Sequence, residues 1–78
     1  MKEKLITIDP EIVSGTPVFY GTRVPIRNLF DYLEGNHSLE DFLNSFPGVK
    51  KEQAIGVLEL ADKIINTGKY NINENIVG

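Results

Sequence analysis

The fold is decided by residues 25–66, PIRNLFDYLEGNHSLEDFLNSFPGVKKEQAIGVLELADKIIN, where apolar residues recur at helical spacing in three separate runs. In the first run the pattern i, i+3, i+4, i+7 is filled by Ile26, Leu29, Phe30 and Leu33. It predicts a helix over residues 26–34. Pro25 suits the first helical position, because that backbone N–H has no partner within a helix. Gly35 can take the left-handed conformation that closes the helix.

The second and third runs predict two further helices. The second has the same spacing at Leu39, Phe42, Leu43 and Phe46 and predicts a helix over residues 39–46. Its start fits a capping box, in which the Ser38 hydroxyl accepts from the backbone N–H of Asp41. The third run predicts a helix over residues 51–66, with an apolar arc about twice as wide as a surface helix needs. We expect Leu60 and Ile64, at the edge of this arc, to form a homodimer interface. The alternative is that the N-terminal strands cover this flank within one chain.

Outward from the helices, short β-branched and aromatic runs predict strands at about residues 5–8 and 18–20, with turns at Gly15 and Gly21. The fold class is therefore mainly α, with short N-terminal β-strands followed by a three-helix core of helix-turn-helix, homeodomain-like type. Residues 1–67 are predicted to be a single domain. Residues 68–78 alternate polar and apolar positions, and they are either a disordered end or a strand that orders on a partner.

Composition excludes several classes of function. The 78 residues include no cysteine, so the chain has no disulfide and no thiol nucleophile. The single histidine, His37, lies in a polar linker, and no set of metal ligands or catalytic groups emerges. We therefore expect no cofactor, no metal and no enzymatic activity. No apolar run is long enough to cross a membrane, and we expect a cytoplasmic protein. The net charge of -3 argues against a protein that binds nucleic acid over most of its surface. A basic face on one side of the domain is compatible with this net charge.

The order of the second helix, a tight turn and the third helix is that of a helix-turn-helix. The third helix begins with Lys50, Lys51 and Gln53. Lysine neutralises phosphate and glutamine can pair with adenine, so these residues are candidates for DNA contact, with Arg27 as a further cation. The alternative is a helix start that is simply exposed to solvent and contacts no DNA, which has the same composition. Arg23 either contacts phosphate or ties its turn together by hydrogen bonds to carbonyls, and we assign it the structural role.

Several segments resemble the DUF433 family of small prokaryotic proteins over about residues 5–65. They include SGTPV at residues 14–18, GTRVPI at residues 21–26, SLED at residues 38–41 and EQAI at residues 52–55. This family resembles homeodomain-like antitoxins of the VapB45 type, which are paired with PIN-like ribonuclease toxins. The chain departs from the family pattern at Lys50, where a Ser or Thr cap is usual, and at Thr16, where a basic residue is usual.

The resemblance implies an antitoxin that binds and neutralises a PIN-like ribonuclease toxin and regulates its own operator DNA. We expect the apolar residues of the tail to contact the toxin, namely Tyr70, Ile72, Ile76 and Val77. The alternative is a protein-interaction module of the same trihelical fold that does not bind DNA.

Overall fold

The structure, a computed structural model, describes residues 4–67. Its elements are β1 (Ile6–Thr7), a short 3-10 turn (Val13–Gly15), β2 (Val18–Phe19), α1 (Ile26–Glu34), α2 (Leu39–Ser45) and α3 (Lys51–Asn66). The predicted class, mainly helical with short N-terminal strands, is confirmed. Each strand is shorter than predicted, and α2 ends one residue earlier than predicted. The predicted tail at residues 68–78 lies outside the described residues.

The two strands form an antiparallel ribbon in which Ile6 pairs with Phe19 and Thr7 pairs with Val18. Residues 20–25 connect the ribbon to α1. The Ile26 N–H at the start of α1 donates to the carbonyl of Pro17, the residue before β2, at 3.0 Å. The connecting turn needs glycine at its tip, since Gly21 has a φ of +79°. The start of α1 is thereby fixed to the second strand.

The starts of α1 and α2 are made in different ways. Pro25 lies at the N-cap of α1, one position before the predicted one, with an extended ψ of 140°. At α2 the predicted capping box is present. The Ser38 hydroxyl accepts from the Asp41 N–H at 3.0 Å, and the Asp41 carboxylate accepts from the Ser38 N–H at 3.2 Å. Two N–H groups of this helix start are therefore satisfied within four residues.

The end of α1 differs from the prediction. Gly35 has a φ of -85°, and the left-handed residue is its neighbour Asn36, with a φ of 72°. The Asn36 N–H donates to the Leu33 carbonyl at 3.2 Å, and the His37 N–H donates to the Tyr32 carbonyl at 2.9 Å. This pair of bonds is a Schellman motif. Asparagine fills its left-handed position because its short polar side chain tolerates that conformation.

The second strand, the three helices and the α2–α3 loop contribute to one core around Phe42. The buried apolar residues are Val18, Phe19, Leu29, Phe42, Val49, Ala54 and Val57. The Phe42 ring centroid lies 5.8 Å from that of Phe19, 5.7 Å from that of Tyr32 and 5.1 Å from that of Phe46. Aromatic pairs at these distances add to the stabilisation from apolar burial. Phe42 therefore joins α2 to both the ribbon and α1.

The third helix packs on the core through its first half and is largely exposed in its second. Leu5, the residue before β1, packs on the helix at Gly56, where an added Cβ would lie 2.7 Å from the Leu5 Cδ2 atom. Beyond this contact Leu60, Ile64 and Ile65 are 38%, 40% and 46% exposed. Within residues 4–67, the strands therefore leave this flank open to solvent.

Candidate nucleic-acid interface

The turn between α2 and α3 is a short exposed loop held by one buried side chain. Pro47 and Gly48 are exposed, whereas Val49 is 4% exposed and its N–H donates to the Phe46 carbonyl at 3.0 Å. Val49 thereby fixes the direction from which the chain enters α3.

Two lysines occupy the exposed start of α3. Lys50 is the N-cap residue and Lys51 is the first helical residue, and both are exposed. Their ammonium groups lie at the end of a helix whose free N–H groups also carry partial positive charge. This end of the helix is therefore suited to an anionic ligand, although the exposed Glu52 carboxylate follows directly.

The cap of α3 is supplied by Gln53. A lysine ammonium has no acceptor, so Lys50 cannot cap the helix with its own side chain. Instead the Gln53 Oε1 atom accepts from the Lys50 N–H at 3.0 Å. The Gln53 Nε2 atom donates to the Tyr20 carbonyl, also at 3.0 Å. One side chain thus joins the first turn of α3 to the end of β2, 33 residues away.

The prediction that Gln53 contacts DNA is wrong. The residue is 5% exposed, and both ends of its amide are already hydrogen-bonded within the domain. A glutamine needs both amide atoms free to pair with adenine.

A second exposed segment lies beside the helix start. We call residues 20–23 the ribbon turn, since they lead from β2 toward α1. Its Tyr20 side chain is 45% exposed, and Arg23 is exposed. The turn lies close to the α2–α3 loop, since a Cβ added to Gly48 would lie 4.0 Å from the Thr22 Cγ2 atom. The ribbon turn and the start of α3 are therefore neighbours on the surface.

The ribbon turn is closed by Thr22. Its hydroxyl donates to the Phe19 carbonyl at 2.8 Å and accepts from the Val24 N–H at 3.0 Å. The Thr22 N–H also donates to the Phe19 carbonyl at 3.0 Å. Hydrogen bonds to the carbonyls of this turn were predicted for Arg23. Thr22 makes them, and Arg23 stands outside them.

The remaining predicted site residues are dispersed. Arg27 lies in the first turn of α1, where its side chain is 79% exposed and makes a loose ion pair of 3.9 Å with Asp31. Such an exposed pair contributes little to stability. Leu60 and Ile64 lie on the exposed flank of α3. The four predicted tail contacts, Tyr70, Ile72, Ile76 and Val77, fall outside the described residues. The structure therefore brings together Lys50 and Lys51 and leaves Arg27 on a separate helix.

Charge is distributed unevenly between the two ends of α2. Residues 31–41, around the start of this helix, carry four carboxylates and no lysine or arginine: Asp31, Glu34, Glu40 and Asp41. The other end leads to Lys50 and Lys51. A seven-residue helix separates the two ends by about 10 Å. The domain is therefore acidic at one corner and basic at the next, despite its net charge of -3.

Residues 4–67 lack the features of two other kinds of site. That part of the chain contains no group of three or more His, Cys, Asp or Glu residues placed to hold a metal ion. None of its helices has the length and apolar character needed to cross a membrane.

The fold and this surface define a small helical domain in which a two-stranded ribbon and three helices enclose one core and present a basic helix start. The chain belongs to the family described as "Protein of unknown function (DUF433)", which it matches over residues 6–61.

Two relatives extend this assignment. A crystal structure of a DUF433 member from Anabaena variabilis ATCC 29413 superposes with a TM-score of 0.68 at 20% identity, over 83% of this chain and 64% of that chain. At this identity the likeness establishes the fold alone. The chain is also 36% identical over 50 residues to "Uncharacterized protein y4eO" of Sinorhizobium fredii strain NGR234. That match covers 64% of this chain and 23% of the relative. The matched residues thus span about a quarter of the length of that relative.

Proposed function

We propose that this domain is the antitoxin of a toxin–antitoxin pair and acts by binding, without catalysing a reaction. The observation that carries its DNA-binding part is the exposure of Lys50 and Lys51 at the start of α3. The toxin-binding part is supported by the resemblance of the chain to antitoxins paired with PIN-like ribonucleases. Both activities belong in the cytoplasm, where the operator DNA and the toxin's RNA substrates are found.

DNA binding in this proposal is mainly electrostatic. Lys50 and Lys51 neutralise phosphates, and Arg27 adds a cation from α1. Because Gln53 is buried, the first turn of α3 has no amide available to read adenine. Recognition of the operator then depends on the position of the cations along the backbone and on the shape of the DNA.

Toxin binding in this proposal uses the tail beyond Gly68, with Tyr70, Ile72, Ile76 and Val77 as the apolar contacts. Alternating apolar residues suit addition of a strand to the edge of a partner's sheet. Deletion of residues 69–78 should abolish neutralisation of the toxin and leave DNA binding intact. Normal neutralisation by the truncated protein would refute this assignment.

The proposal includes a homodimer formed through α3. Leu60 and Ile64 are 38% and 40% exposed on a flank that the rest of residues 4–67 leaves open. A dimer would bury this flank and present two basic helix starts to DNA, as helix-turn-helix proteins do. The expected change in Leu60→Ser is a shift from dimer to monomer in analytical ultracentrifugation.

A second candidate is a protein-interaction module that does not bind DNA. It is favoured by the three large apolar side chains exposed on α3, Leu60, Ile64 and Ile65. The salt dependence of binding affinity distinguishes the two candidate functions. Affinity for DNA falls steeply with salt because condensed cations are released, whereas an apolar protein interface is nearly insensitive to salt.

The test is a titration of the purified protein against the DNA upstream of its own coding sequence, at two salt concentrations. It is repeated with the product of the adjacent gene present. The antitoxin proposal predicts salt-sensitive DNA binding and a tight complex with that product. Tight partner binding with no DNA binding would leave the interaction module as the function.

A further inference from the structure

We propose that the ribbon turn is a second DNA-contacting segment, in which Arg23 and Tyr20 bind backbone phosphates next to those bound by Lys50 and Lys51. Gln53 is the positioning residue that holds the two segments together. This inference rests on the proposed DNA-binding function and extends it to residues outside the helix-turn-helix.

The two segments share one surface because a hydrogen-bonded side chain joins them. Gln53 links the Tyr20 carbonyl to the Lys50 N–H through two hydrogen bonds of 3.0 Å. The Thr22 Cγ2 atom lies 4.0 Å from the position that a Cβ on Gly48 would occupy in the α2–α3 loop. The ribbon turn is therefore joined to the first turn of α3 and lies close to the loop before it. A duplex phosphate backbone that reaches the two lysines lies within reach of this turn.

Arg23 is free to bind an external anion. Thr22 closes the turn, so the guanidinium is not needed for its hydrogen bonds. Within residues 4–67, every carboxylate lies beyond ion-pair distance of Arg23, Lys50 and Lys51, since the pairs formed there are Arg27–Asp31 and His37–Asp41. An exposed guanidinium without a carboxylate partner has the donor geometry for bidentate binding of a phosphate.

Tyr20 and Lys4 extend the same surface along the ribbon. The Lys4 ammonium lies 5.3 Å from the centroid of the Tyr20 ring, which is 45% exposed. The cation holds the ring against the ribbon by a cation–π contact, and the phenol hydroxyl is a donor of the kind that binds phosphate oxygens. The two segments and the adjoining Lys4 thus carry four exposed cations and one phenol, with Glu52 as the acidic residue next to Lys51.

Gln53 acts through the residues it joins. It is buried, so it makes no contact with DNA itself. If its two hydrogen bonds are lost, the ribbon turn is no longer fixed relative to the helix start, and phosphate contacts from both segments are no longer formed together. The contribution of Arg23 to DNA binding should therefore depend on Gln53, whereas a merely structural glutamine would leave that contribution unchanged.

The experiment measures fluorescence anisotropy of a fluorescein-labelled duplex from the DNA upstream of the coding sequence, over a series of salt concentrations. The variants of the full chain are Arg23→Gln, Tyr20→Leu, Gln53→Met, Lys50→Gln, Lys51→Gln and the double variant Arg23→Gln/Gln53→Met. The matched control is Lys63→Gln, which removes one exposed charge from the same helix about 18 Å from Lys51. Circular dichroism establishes that each variant is folded at the assay temperature.

Arg23→Gln should weaken binding severalfold and lower the slope of log K against log salt by about 1, and the control should change neither. Tyr20→Leu should weaken binding with little change in slope, because the phenol is neutral. Arg23→Gln should lower DNA affinity less in the Gln53→Met background than in the wild-type chain. That difference would indicate that Gln53 positions Arg23.

Two results would overturn the inference, and they are distinguishable. If Lys50→Gln and Lys51→Gln weaken binding while Arg23→Gln behaves like the control, DNA binding stands but the ribbon turn has no part in it. If the wild-type chain does not bind the duplex at low salt, the proposed DNA-binding function fails together with the inference. If Arg23→Gln lowers DNA affinity equally in the wild-type and Gln53→Met backgrounds, the positioning role of Gln53 is refuted, whereas the phosphate contact by Arg23 is not.

Discussion

Replacement of Gln53 by methionine should destabilise the domain, because this buried side chain makes two hydrogen bonds within the domain. Methionine has nearly the same length and no branching, so it fills the space of the glutamine without a clash. It has neither the acceptor for the Lys50 N–H nor the donor for the Tyr20 carbonyl. The change therefore isolates the hydrogen bonds from the packing.

The expected loss is about 2 kcal/mol. Each bond has a donor–acceptor distance of 3.0 Å, and a bond of this type contributes about 1 kcal/mol net. Leaving a buried partner unpaired adds to the cost, and the easier burial of a thioether than of an amide offsets part of it. For a domain of 60–100 residues, about 1 kcal/mol lowers Tm by about 4–8 °C. We therefore expect a decrease in Tm of about 8–16 °C.

The assay is thermal unfolding followed by circular dichroism at 222 nm, the wavelength of the helical signal, with urea unfolding as a second measurement. The control is Lys51→Met, which introduces the same side chain two residues away at an exposed position and should change the free energy of unfolding by less than about 0.5 kcal/mol. A Tm for Gln53→Met equal to that of the control would refute the reasoning, since it would mean that the two Gln53 hydrogen bonds contribute nothing to stability.

Three further substitutions test separate parts of the fold. Phe42→Ala removes the ring at the centre of the aromatic cluster and should cost about 3–5 kcal/mol, which should leave the chain largely unfolded at 25 °C in circular dichroism. Ser38→Ala removes the acceptor for the Asp41 N–H and should cost about 1 kcal/mol in urea unfolding, while Ser45→Ala at the other end of α2 should cost less. Gly21→Ala meets no atom within 4 Å, so its expected cost of about 1 kcal/mol arises from the φ of +79° alone, and an unchanged Tm would contradict that conformation.

The helices could be predicted because apolar residues recur at regular helical spacing along each of them. The predicted bounds of α1 and α3 agree with the structure, and the capping box at Ser38 was readable from the residues at positions 38 and 41. The left-handed residue at the end of α1 was assigned to Gly35, whereas Asn36 adopts that conformation. Both residue types tolerate positive φ, and the sequence does not show how far the last helical turn extends.

The candidate site was predicted in part. Lys50 and Lys51 are exposed at the start of α3, as their place after a tight turn indicated. The burial of Gln53 could not be inferred from local pattern, because its partner, the Tyr20 carbonyl, is 33 residues away. The one available signal was the spacing from Lys50 to Gln53. In a capping box the side chain at the third helical position accepts from the N-cap N–H, and a glutamine stands three residues after Lys50.

The central claim, that the start of α3 binds DNA phosphates, is tested most directly by the salt dependence of DNA binding in wild type and in Lys50→Gln/Lys51→Gln. The wild-type slope of log K against log salt should be clearly negative, and the double variant should have a slope smaller in magnitude by about 2, since each phosphate contact contributes about 0.9. The same slope in both proteins, or a wild-type slope near zero, would contradict the account.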